Sequence, residues 1–123
     1  MIKQVVWIKN SQTNDWFDFL RLNLDAPYFL GKRGVYVIWY TSPGLAKVVR
    51  LGQGNISERL KEHRSRPDIM QYASYGQLKV SWVILNENEL FGVEKFLSRI
   101  YSPLIGDRYP VEIQEIPVNL IGQ

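Results

Sequence analysis

Two stretches of the chain set ionisable side chains at spacings that chemistry can use. A helix is expected over residues 56–66, and in it Arg59 and His63 stand four residues apart, one above the other on a single face. Ile56 and Leu60 form the apolar stripe beside them, so the pair borders the core rather than pointing straight into water. An arginine held there can bind a phosphate and a histidine can move a proton. The plainer alternative is a half-buried histidine beside an arginine whose stem covers apolar surface. In the last helix, expected over residues 89–101, Leu90, Val93, Leu97, Ile100 and Tyr101 recur at the spacing of a buried face, and Glu94 falls on that same face. A carboxylate there is costly unless it meets a cation, a metal or hydrogen-bond donors. An ion pair with Arg59 or a bound divalent cation would each supply that.

Charge is concentrated near the first of these stretches. Between Lys47 and Arg66 lie six basic residues, Lys47, Arg50, Arg59, Lys61, Arg64 and Arg66, against Glu58 and Glu62, an excess larger than the net +3 of the whole chain. Such a patch is the footprint of a phosphate-binding surface, or else a solvated helix face with glutamate–lysine pairs. Other chemistries are excluded by count. Without cysteine there are no disulfides, thiolate metal sites or cysteine nucleophiles, and with His63 as the sole histidine there is no multi-histidine metal site. No serine sits in a nucleophile-elbow glycine motif. Gly52-Gln53-Gly54 lacks the third glycine of a dinucleotide fingerprint, where Ser57 stands, and a Gly-Lys-Ser/Thr phosphate loop is absent. Those glycines then mark a tight turn, or N–H groups open to an anion at a helix start.

The elements that must position these residues fit one domain of 123 residues with an ordinary 22% of charged side chains. An edge strand is expected over 3–9 and a helix capped by Asn14 over 15–20, broken at Ala26-Pro27. Residues 34–41 are nearly all β-branched or aromatic and apolar on both faces, as a central strand would be. Ser42-Pro43-Gly44 turns the chain into a returning strand over 47–51. Asn55 and Glu58 have the spacing of a capping box for the helix that Pro67 stops. A short helix over 68–74, a strand over 78–85, a helix started by Asn86 or Asn88, and extended pieces near 111–116 complete an α+β domain on a small, mostly antiparallel sheet. No apolar run is long enough to span a membrane and no signal peptide is apparent, so a soluble cytoplasmic domain is expected.

Taken together, these residues resemble the GIY-YIG nucleases over 31–107, with 1–30 and 108–123 as extensions. Gly34-Val35-Tyr36 matches the Gly-Ile/Val-Tyr strand, and Arg50-Leu51-Gly52 stands where the hairpin returns with Tyr-Ile/Val-Gly. Arg59 and His63 match the helical arginine and histidine, and Glu94 matches the metal-binding glutamate of the later helix. The resemblance implies a three-stranded antiparallel sheet flanked by helices and the hydrolysis of phosphodiester bonds in DNA with magnesium or manganese. Glu94 would hold the cation, Arg59 would neutralise charge on the phosphoryl oxygens, and Tyr36 with His63 would activate or orient water. That last role needs the Tyr36 phenol, ordinarily near 10, brought down towards neutrality.

Two departures bear on activity. Arg50 replaces the motif tyrosine and cannot be a general base; strand alternation faces it away from Val49 and Leu51, towards the site. There it would bind phosphate, lower the Tyr36 pKa by its charge, or mark a lost activity. The closing Pro-x-x-Asn is also missing: Pro103 is followed by Leu104, Ile105 and Gly106, and either Asp107, next in the chain, substitutes for the asparagine or nothing does. The expectation is a divalent-metal-dependent DNA endonuclease with Tyr36, Arg50, Arg59, His63 and Glu94 at its centre. Lys47, Arg50, Gln53, Lys61, Arg64 and Arg66 are then its nucleic-acid contacts. The alternative is a catalytically impaired member of that scaffold that holds nucleic acid or a protein. A cutter this small would rely on a second copy, a targeting partner or modest selectivity.

Overall fold

The structure, a computed structural model, describes residues 1–122. The strands are β1 (Phe17–Asp18), β2 (Arg33–Ser42), β3 (Leu45–Asn55) and β4 (Gln77–Ile84), and the helices are α1 (Ile56–Arg64), α2 (Pro67–Met70) and α3 (Leu90–Tyr101). The strands make one antiparallel sheet in the order β1-β4-β2-β3. β2 is central and buried on both faces, as its composition requires. Tyr36, Ile38 and Tyr40 pack with Ile56 and Leu60 of α1 on one side, while Val35, Val37 and Trp39 pack with Leu90, Val93 and Leu97 of α3 on the other. The two helices therefore reach the sheet from opposite faces.

The sheet has four strands rather than the expected three, and the additional one comes from the segment expected as a helix over 15–20. Asn14 does not cap; it takes φ 56 in a turn, and Phe17–Asp18 pairs with Lys79–Val80 while the Phe17 ring stacks on Trp82 at 5.5 Å. The segment 3–9 is likewise not a strand of the sheet. It makes one bridge, Lys3 with Val118, and the Ile8 N–H donates to the Trp82 carbonyl at 3.0 Å. Both pieces were misread for one reason: they cover the outer edge of β4, and pairing with an exposed edge overrides local preference.

β3 extends beyond its expected end and carries Gly52-Gln53-Gly54 inside the strand, not in a turn. Asn55 then caps α1, its side chain accepting from the Glu58 N–H at 3.1 Å. Pro67 ends that run and also opens α2, a place that suits a residue without an N–H. The full capping box lies ahead of α3, where Asn86 and Glu89 bond reciprocally. Between β2 and β3 the register shifts: Ile38 faces Arg50 and Trp39 faces Val48, so Val49 is the extra residue of a bulge. Val49 packs on the α1 side and Leu51 on the α3 side, so simple alternation holds for Leu51 and fails at Val49.

Close backbone approach between β2 and β4 is set by Gly34. A Cβ added there would lie 1.8 Å from the Val83 carbonyl oxygen, which is backbone and cannot step aside. Gly34→Ala should therefore lower unfolding free energy by more than about 3 kcal/mol, read as a fall in the urea midpoint or a failure to fold.

Candidate active site

The outer edge of β3 is where residues from both faces of the sheet meet. A cleft of about 610 Å³ opens there, walled by Arg50, Gly52 and Gln53 of β3, Arg59 of α1 and Glu94 of α3. Asp107 and Tyr109 close it from the chain beyond α3. The structure thus brings together Arg50, Gln53, Arg59 and Glu94 of the residues singled out in the sequence.

Tyr36 and His63 stand behind that cleft rather than in it. Tyr36 is the cross-strand partner of Gly52, and a Cβ on Gly52 would lie 2.3 Å from the Tyr36 hydroxyl, so only glycine lets the ring lie there. The hydroxyl meets His63 Nε2 at 2.5 Å, and the two residues are 0% and 1% exposed. Burial holds the Tyr36 phenol above its ordinary value, against the opposing pull of the Arg59 and Arg50 charges. Burial, reinforced by the charges of Arg50, Arg59 and Arg66, lowers His63 to about 4. At neutral pH the pair is a protonated tyrosine against a neutral imidazole, joined at Nε2, while Nδ1 has no partner. The depressed tyrosine pKa that the sequence reading called for is not what this environment provides.

Glu94 is the misplaced carboxylate that periodicity marks, and it is 6% exposed. Its partner is neither Arg59 nor any other cation within ion-pair distance among the described residues. Instead the Tyr109 hydroxyl donates to Oε1 at 2.8 Å. Burial raises the Glu94 pKa and the nearby Asp107 charge adds to that, while the Tyr109 bond and the charges of Arg50 and Arg59 hold it down. Arg59 turns to Glu62 at 2.9 Å, leaving its buried Nε unpaired. Its stem lies over Gly54, whose φ of +126 favours glycine and whose added Cβ would sit 3.6 Å from the Arg59 Cγ.

Arg50 is only 9% exposed at its side chain and is held by Asp107 at 2.8 Å and by the Ile105 carbonyl at 3.3 Å. Asp107, named in the sequence as a substitute for the missing asparagine, is thus an ion-pair partner. Of the basic residues between Lys47 and Arg66, those other than Arg50 and Arg59 do not line the cleft, whereas Arg108, beyond α3, does. Lys61 pairs with Asp25 and Arg66 with Asp68, while Arg64 donates to the carbonyls of Phe19 and Leu22 and so ties α1 to the N-terminal segment. Lys47 stands by Trp16 and Trp39 in a separate depression. Tyr109, with Arg108 beside it in the cleft lining, is what sequence reasoning missed. It follows the last helix in a stretch without periodicity, and the sole signal for it was the unmet need of Glu94 for a donor.

For a metal, the cleft offers Glu94 with Asp107 close by, and no group of three or more histidine, cysteine or carboxylate ligands occurs among the described residues. Those donors fit a hard cation of the magnesium type, which is commonly held by one or two carboxylates and completed by waters and phosphate oxygens. Compared with protein-family models, with curated proteins and with solved structures, the chain matches none. No helix among the described residues is long and apolar enough to cross a membrane.

The neutral burial of His63 has a measurable consequence. A histidine whose value falls from 6.5 to about 4 on folding binds its proton more readily in the unfolded chain. Stability then declines as pH drops through that window and is regained above it. Wild type should lose more stability than His63→Gln between those pH values, measured as urea midpoints at each pH. Glu94, with its raised pKa, contributes the opposite slope but equally to both proteins.

Proposed function

We propose that the chain is a divalent-metal-dependent endonuclease acting on phosphodiester bonds in DNA, in keeping with its resemblance to the GIY-YIG nucleases. The observation that carries this reading is the convergence of Glu94 and Arg59, from helices on opposite faces of the sheet, on one cleft at the β3 edge. A desolvated carboxylate facing an arginine with a free buried N–H suits a cation on one side and a phosphoryl group on the other.

In this reading Glu94, with Asp107 near it, would hold the cation. When bound, the cation supplies Lewis-acid polarisation of the phosphate and charge stabilisation at the leaving oxygen. Arg59 places positive charge where the phosphoryl oxygens gain negative charge. Gln53 offers an amide to the same phosphate or to a base edge. His63, neutral at working pH, meets the Tyr36 hydroxyl through Nε2 and so holds its orientation. For Tyr36 to act on a water, Gly52 must give it access, since its hydroxyl is sealed from the cleft in this conformation.

That seal is the observation favouring the second reading, a scaffold that binds nucleic acid without cutting it. Supercoiled plasmid with magnesium or manganese separates the two. Wild type should nick it, and Glu94→Gln should not, while keeping or gaining stability because the amide still accepts from Tyr109 without a buried charge. Arg59→Ala should slow nicking by about a hundredfold or more, the usual cost of one lost transition-state donor. Absence of nicking by a folded wild type that still binds the plasmid would sink the nuclease reading and leave the binding scaffold.

A further inference from the structure

Arg50 looks towards the cleft, yet both terminal nitrogens of its guanidinium are engaged by the protein itself, and its buried Nε has no partner. Nη2 donates to Asp107 and Nη1 to the Ile105 carbonyl, and both acceptors belong to the stretch 103–110. That stretch leaves α3 through Ser102, which takes φ 46, and then lies along β3. Leu104 N–H donates to the Val48 carbonyl at 3.1 Å and Ile105 N–H to the Val49 carbonyl at 2.9 Å. Successive carbonyls of a regular strand point to opposite edges; the bulge at Val49 is what lets both of these face outward. Two residues past Asp107, the Tyr109 hydroxyl reaches Glu94. Beyond it, Lys95, the neighbour of Glu94, donates to the carbonyls of Pro110, Val111 and Ile113.

The stretch is therefore a strap, tied at one end to the bulge, in the middle to Arg50, and at the far end to α3. From this we infer that Arg50 is a positioning residue: its guanidinium fastens the strap and so sets the Tyr109 hydroxyl on Glu94, and it does not contact substrate phosphate. An ion pair with little solvent around the guanidinium orients its partners strongly, and a donor fixed on a carboxylate sets the rotation at which that carboxylate presents itself to a ligand. Only the use made of Glu94 rests on the nuclease reading; the clamp stands on the contacts alone.

The test uses the full chain with a fluorotyrosine label replacing Tyr109, alone and combined with Asp107→Asn or Arg50→Gln. Asp107 is half exposed, so its variant keeps the fold even where loss of the buried Arg50 does not. Asp107→Asn should move the fluorine resonance towards its position in Glu94→Ala, and should speed amide exchange at Leu104 and Ile105 about tenfold by freeing the strap to open locally. Titration with manganese should show affinity lowered about tenfold or more in Arg50→Gln and in Tyr109→Phe alike, as for lost outer-shell partners of a metal ligand. The salt dependence of binding to a short DNA duplex should keep its slope in Arg50→Gln. A slope shallower by about 0.9, the signature of one lost phosphate contact, would overturn the proposal, as would a fluorine resonance unmoved by Asp107→Asn. If the wild type binds neither manganese nor DNA, the nuclease reading falls, and the resonance and exchange arms still decide the clamp.

Discussion

Everything about this molecule follows from a central strand that must be covered twice. β2 alternates apolar side chains to both faces, so neither can be left to water, and each needs its own helix. The chain supplies α1 directly after β3 and α3 after β4, and the two helices arrive on opposite sides of the sheet. With β4 on one flank of β2 and its outer edge already covered by Phe17–Asp18 and Ile8, the place open to residues from both faces is the far flank, at β3. A cleft at a sheet edge is thus a consequence of core formation, and Arg59 and Glu94 meet there because each sits at the border of its helix's buried stripe.

Burial sets the electrostatics of the cleft before any ligand does. Desolvation disfavours charge on Tyr36, His63 and Glu94 alike, raising the two acids and lowering the base. The arginines act in one direction on all three: they favour the tyrosinate and the carboxylate and oppose the imidazolium. For His63 the two influences add, which is why it titrates so far below its ordinary value. For Tyr36 and Glu94 they compete, and burial wins. A neutral imidazole against a protonated phenol is therefore the resting state, and any chemistry that needs the phenolate must first bring further positive charge close to it.

The legible parts of the fold were those in which side-chain pattern and tertiary role coincide. Val35 to Tyr40 could hardly be anything but a central strand, and Leu90, Val93 and Leu97 mark the buried face of α3 so clearly that Glu94 stands out against it. Ile100, assigned to that face, is instead 40% exposed, while Tyr101, four residues after Leu97, carries the packed stripe to the end of α3. Elements defined by pairing alone were not legible. Phe17–Asp18 is a strand because β4 offers an edge and Trp82 a ring to stack on, neither of which a local pattern records. Gly52 looks like a turn residue and is a strand residue, since what demands a glycine is the Tyr36 hydroxyl lying across it from the neighbouring strand. The basic residues are dispersed for a related reason. Charges adjacent in sequence on α1 and around it are distributed among separate carboxylates and carbonyls, and the cleft keeps Arg59 together with Arg50.

The bulge at Val49 connects these observations. An arginine at the position after it would, on an uninterrupted strand edge, face solvent or a ligand. With one residue inserted, two neighbouring carbonyls turn outward together and recruit the chain leaving α3, whose Asp107 then arrives within reach of the guanidinium. A buried arginine with no acceptor there would be destabilising, and a strap without the arginine would lose the tie between its two backbone bonds to β3 and its bonds to α3. Arg50 and the stretch after α3 are in this light coupled: the same stretch carries Asp107, which meets the guanidinium, and Tyr109, which meets Glu94. Cleft, strap and buried carboxylate form one arrangement in which Arg50 of β3 and the segment after α3 hold each other in place.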